Sequence, residues 1–141
     1  MIVIAIIAII TAFAAGGGIR SWLVQRGLST AVEQVRSDLQ RAKLLAIKEH
    51  GNCSITLNTT KQYTISLNGQ VVDLSNYRGN VTINLGASTS PITFTPWGTC
   101  NAGSIELTNQ GNTATYRLRT SMAGAVIKQV LAGANWVSTG I

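Results

Sequence analysis

The chain has 141 residues, 45% hydrophobic and only 11% charged, which is enough for one domain with an appendage and too apolar for a disordered or acidic solvating segment. Eleven Lys and Arg against five Asp and Glu leave a net charge of +6 and a pI near 9.9. One histidine, five dispersed acids and the lack of a G-x-S-x-G, H-E-x-x-H or phosphate-binding glycine loop leave no assembled catalytic constellation, so no enzymatic activity, cofactor, metal or small-molecule substrate is expected.

The first element is apolar. Residues 1–19 carry no charge, and Thr11 is the single polar residue in MIVIAIIAIITAFAA. At 1.5 Å per residue a helix over this stretch is about 28 Å long, just enough to span a hydrocarbon core of about 30 Å. Its candidate membrane or filament-core side chains are Ile2, Ile4, Ile6, Ile7, Ile9, Ile10 and Phe13. Ala12-Phe13-Ala14 has the form of a signal-peptide cleavage site, but no positive region precedes the apolar run, so the segment reads as retained. A helix this rich in β-branched residues must sit in lipid or against other protein. Gly16, Gly17 and Gly18 follow, each costing about 1 kcal/mol relative to alanine, and a kink or melted turn is expected there. Arg20, Trp22 and Arg26 form a cation and aromatic set of the kind found at a membrane interface.

Leu28, Val32, Val35, Leu39, Ala42 and Ala46 recur at spacings of three and four, predicting an amphipathic helix with Arg26, Glu33, Arg36 and Lys43 opposite the stripe. Glu33 with Arg36 and Asp38 with Arg41 are expected i,i+3 pairs. His50-Gly51 should end the helix, the glycine supplying a left-handed position. The period then drops to two. Strands are predicted at 53–57, 63–67, 70–74, 81–85, 92–95, 104–108, 115–119 and 125–130, with Asn68-Gly69 as a hairpin turn and 131–141 as a weakly patterned tail. The fold class is α+β, a long N-terminal helix packed on an antiparallel sheet, with residues 1–50 as the helix and 51–141 as a β-rich head.

The two cysteines, Cys53 and Cys100, stand in neither a C-x-x-C nor a Cys/His cluster. An isolated pair so placed is a candidate disulfide, which would close a loop of about 47 residues, contribute roughly 4 kcal/mol and imply an oxidising compartment; the alternative is two buried thiols.

In this order of parts the chain resembles the type IV pilin-like proteins, in detail the GspH/FimT pseudopilins. MIVIAIIAIITAFAA looks like the hydrophobic segment of that family, DLQRAKLLAI (38–47) like its helix before the head, and ITFTPWG (92–98) like its central strand and turn. The resemblance implies a pilin-like fold and a subunit held in the bacterial inner membrane as a single-pass protein. That subunit is then extracted into a periplasmic or extracellular helical filament with copies of itself and other pilin-like subunits. The methylated Phe and the Glu-Leu that open mature family members have no counterpart in this sequence, and Gly16 to Gly18 fall where a helix-breaking proline is expected. The precursors of the family carry a basic leader that is removed, so counting positive charges on this chain is a poor guide to its topology.

Two other readings compete with a structural subunit. One is a DNA-binding minor pilin of a natural-transformation machine, suggested by the basic pI, with Arg117, Arg119 and Lys128 as candidate contacts. Against it, family members that bind DNA resemble one another in a Gly-Arg-x-Arg stretch, where this chain reads Gly124-Ala125-Val126-Ile127, and six of the eleven basic residues lie on the helix between Arg20 and Lys48. The other is a monomeric membrane-anchored binding domain, which leaves the isoleucine-rich run and the glycine break without a purpose.

Overall fold

The computed structural model describes residues 4–5, 18–85, 91–109 and 114–139. Helix α1 runs from Gly18 to Lys48. It is followed by β1 (Cys53–Thr59), β2 (Gln62–Ile65), β3 (Gln70–Asp73), β4 (Thr82–Leu85), β5 (Ile92–Phe94), β6 (Gly103–Thr108), β7 (Thr115–Thr120), β8 (Val126–Ala132) and β9 (Asn135–Ser138). The predicted stripe is the core seam of α1: Leu28, Val32, Val35, Leu39, Ala42 and Ala46 are all fully buried, joined by Ala31. The change from helix to strand near residue 50 does not divide this core, because those side chains meet Cys53, Ile55, Tyr63, Ile65, Ile92, Phe94, Ile105, Leu107 and Leu118 in one cluster.

Gly18 was expected within a helix break, yet it lies in α1; one glycine costs about 1 kcal/mol in a helix, which an element of 31 residues absorbs. Gly16 and Gly17, and the core candidates Ile2, Ile6, Ile7, Ile9, Ile10 and Phe13, lie outside the described residues. Ile4 is helical and exposed. At the other end, His50 takes the left-handed conformation predicted for Gly51, with φ 51°. The Gly51 amide then reaches back to the Ala46 carbonyl at 3.2 Å, the six-to-one bond of a Schellman cap, so the turn is set one residue earlier than the glycine suggests.

The strands form two antiparallel sheets rather than one, in the orders β3-β2-β1-β5 and β4-β6-β7-β8-β9. Alternation along β1, β2 and β5 sends Cys53, Ile55, Tyr63, Ile65, Ile92 and Phe94 inward, the pattern of a sheet with one covered face. Leu67, predicted as the end of a strand, is exposed in the four-residue turn joining β2 to β3, and Asn68 caps that turn by accepting the Gln70 amide at 3.0 Å. The sheets meet where the Ile83 amide donates to the Thr60 carbonyl at 2.7 Å. Helix α1 crosses both, touching β1 and β5 on one and β6, β7 and β8 on the other. The tail holds a ninth strand. Gly133, at φ 64°, starts a two-residue turn that folds Asn135–Ser138 back on β8, with Leu131 opposite Trp136 and Ala132 opposite Asn135.

One polar group is buried in the seam. Asp38 is 3% exposed and accepts hydrogen bonds from the Tyr63 hydroxyl at 2.5 Å and from Gln34 Nε2 at 3.1 Å. The predicted pair with Arg41 is not made; Arg41 turns away and donates to Gln70 on β3 at 3.1 Å. A carboxylate on the stripe side of the helix meets a tyrosine before it meets a solvated arginine. Burial, and then the bond to Asp38, push the Tyr63 phenol above its ordinary range.

Candidate functional site

The cation set singled out in the sequence divides between two faces of one sheet. On β7, Arg117 and Arg119 alternate with Leu118, and their cross-strand partners on β8 are Gln129 and Ile127. Lys128 is instead opposite Leu118, so it points to the helix side, where its Nζ lies 2.7 Å from Glu33 Oε1. Glu33 also takes the predicted partner Arg36 at 3.7 Å. Its carboxyl is held below the usual range, chiefly by the Lys128 bond. Lys128 is therefore a tie between β8 and α1, and does not share a surface with the two arginines. Arg117 stacks its guanidinium on Trp136 of β9, 4.1 Å from the ring centroid, while its Nε donates to Gln129 at 3.0 Å. Arg119 is exposed beside it.

The expected disulfide is not formed: Cys53 and Cys100 are both free and buried. The register gives the reason. Cys53 faces Phe94 across the β1–β5 ladder, and Phe94 bridges Cys100 on its other edge, so the cysteines stand two strand spacings apart. That is about 10 Å, beyond the roughly 7 Å over which Cα atoms can be bridged. The Cys100 thiol donates to the Ser121 carbonyl at 2.9 Å, and the argument for an oxidising compartment loses its support from cysteine.

A surface that sequence reading missed lies around the C-terminal end of α1. The turn after β5 and the turn between β7 and β8 meet there, tied by the Cys100 amide donating to the Met122 carbonyl at 3.2 Å. A Cβ on Gly124 would stand 2.0 Å from the Gly98 carbonyl oxygen, and Gly124 also holds φ at +80°, so only glycine allows the two turns to touch. Lys43 Nζ donates to the Gly124 carbonyl at 3.3 Å. Exposed apolar side chains on these turns and on the end of α1 are Trp97 at 85%, Met122 at 73%, Leu44 at 65% and Ile47 at 40%, and the Gly98 turn lies against Ile47. Leu44 and Ile47 fall off the stripe spacing, which was the available signal; the approach of the Gly98 turn to Ile47 is not visible in any short window.

Among the described residues no group of three His, Cys, Asp or Glu could hold a metal ion, and no helix is long and apolar enough to cross a membrane.

Comparison with known proteins agrees with this geometry. The sequence model of the family described as Type II transport protein GspH matches residues 31–124. The type IV minor pilin FimU of Pseudomonas aeruginosa (strain PAO1) superposes with a TM-score of 0.63 at 20% identity, covering 82% of this chain and 96% of that one. The minor pseudopilin EpsH of the Type 2 Secretion System of Vibrio cholerae gives 0.54 at 10% identity, covering 77% and 98%. Curated protein sequences yield no match. A family pattern over two thirds of the length, carried on the fold of a minor pilin and a minor pseudopilin, means that this chain belongs to the GspH family.

Proposed function

We propose that the protein is a structural subunit of a type IV pilus-like filament or type II secretion pseudopilus, assembled through its apolar N-terminal segment. The observation that carries this reading is that the described core draws every side chain from Leu28 onward and already covers the helix stripe. Residues 1–19 are a further apolar element, and an uncharged run of that length needs lipid before assembly and neighbouring helices after it. The inner membrane is the store and the periplasmic or extracellular filament the destination. Trp97, Met122 and Leu44 offer the head an apolar contact for an adjacent subunit. Electron microscopy of surface material from cells expressing the chain tests this: filaments containing it are expected, and Ile6→Asp with Ile10→Asp should abolish incorporation. Undiminished incorporation of that variant would overturn the role of the segment.

A second reading, nucleic-acid binding, is favoured by the Arg117–Trp136 stack beside exposed Arg119, since a cation and an aromatic on one face suit single strands. With Lys128 committed to Glu33, such binding is expected to be weak, indifferent to sequence and lost near physiological salt. A submicromolar affinity at 150 mM salt that disappears in Arg117→Ala with Arg119→Ala would replace the purely structural reading.

A further inference from the structure

A collar of cations surrounds α1 near its N-terminal end. Arg26 lies over the Trp22 ring, its guanidinium carbon 5.1 Å from the centroid, and Trp22 is 54% exposed. The loop between β3 and β4 then adds a residue from 52 positions away. A Cβ on Gly27 would lie 2.2 Å from the Arg78 carbonyl oxygen and 3.1 Å from the Arg78 Cβ, so the glycine lets this loop lie directly on the helix. Arg78 therefore starts beside Gly27, next in sequence to Arg26, and is exposed. Gly79, at φ +92°, also lies against the helix, where a Cβ would stand 2.8 Å from Val24 Cγ1. Among the described residues neither arginine has an ion pair.

We propose that Trp22, Arg26 and Arg78 form a docking surface for anionic phospholipid headgroups, seating the head on the membrane before the subunit is extracted. This rests on the reading of residues 1–19 as membrane-inserted. Two features select lipid as the occupant. The charge is complementary to phosphate, and the collar continues directly from an uncharged run ending at Ile19. Along a helix Trp22 falls about 4.5 Å and Arg26 about 10 Å beyond that residue. Those heights correspond to a headgroup layer of roughly 5–8 Å reached by a snorkelling side chain. Tryptophan suits that boundary because one part of its ring system is apolar and the other donates a hydrogen bond.

The test is competition. The full chain is synthesised with a mixture of phosphatidylcholine vesicles and vesicles that also contain phosphatidylglycerol, and the two populations are separated by density. Preference for the anionic vesicles is expected. Arg26→Gln and Arg78→Gln should each lower it about fivefold, the effect of one basic residue at an anionic surface. Arg78→Lys should keep it. Lys48→Gln, which removes the same charge about 33 Å further along α1, should leave it intact. Equal effects of the three glutamine variants, or no preference at all, would overturn the proposal. So would an Arg78→Gln chain that keeps the preference but fails to enter filaments, because the cations would then face an acidic surface on a neighbouring subunit. Recovery of the chain with neither population would instead remove the membrane-inserted reading of residues 1–19, and the collar with it.

Discussion

Tyr63 and Asp38 show how a single contact sets local chemistry. The Tyr63 hydroxyl is one of two donors to a buried carboxylate, so Tyr63→Phe is expected to cost about 1.5–3 kcal/mol, read as a lower urea midpoint. The phenol pKa is raised in the folded state from an ordinary 10.0, so its contribution is fully present below about pH 10 and declines above it. The wild-type protein should therefore lose stability through that alkaline range, with a steeper slope than Tyr63→Phe. Glu33 works in the opposite sense. Its pKa is depressed below 4.5 by Lys128, so its contribution is present above that pH and is lost as pH falls through the folded value; Lys128→Gln should flatten that acid limb. The cysteines give a third residue-scale expectation. Denatured under non-reducing conditions, the protein should take up two thiol labels, and native protein should label slowly because both sulfurs are buried. Zero labels would restore the disulfide and require β5 to be displaced.

At the scale of elements, the helix and the loops compete over glycine. Gly27 sits inside α1, where alanine would gain about 1 kcal/mol of helix propensity. The same methyl group would press on the Arg78 carbonyl at 2.2 Å, an overpacking that costs about 1–3 kcal/mol. The second effect wins if the loop cannot move, and Gly27→Ala is expected to lower the melting temperature. A raised melting temperature would show that the loop yields. Leu39→Ala, in the fully buried stripe, should cost about 2–5 kcal/mol, whereas the exposed Leu44→Ala should change stability little while weakening any subunit contact at that end. Prediction of elements worked where the pattern was strong: six stripe residues spaced by threes and fours left one face for the core. It failed at β9, because Leu131 to Ser138 form an edge hairpin largely exposed on both sides, so no alternation marks them, and only the Gly133-Ala134 turn was a usable signal.

For the whole molecule, the described core begins at Leu28 and is closed by the helix stripe and the two sheets, while residues 1–19 form a separate uncharged stretch of the sequence. A chain beginning at Trp22 keeps Leu28 and the whole stripe, and is expected to be soluble and monomeric by light scattering. If it still polymerised, the head surface around Trp97 and Met122 would have to be the assembly element.

The apolar run, the stripe and the change of period after residue 50 are properties of neighbouring residues, so they were legible in the sequence alone, along with the α+β class and the family pattern. What lay beyond it were relations between residues distant along the chain. Strand order put Phe94 between Cys53 and Cys100; cross-strand register turned Lys128 to Glu33 and away from Arg117; and a loop resting on Gly27 brought Arg78 against the helix. Spacing in sequence gives a side chain's face only relative to its own strand or helix. Which element lies across from that face is decided when the sheets and the helix close on one another, and only the tertiary structure contains that choice.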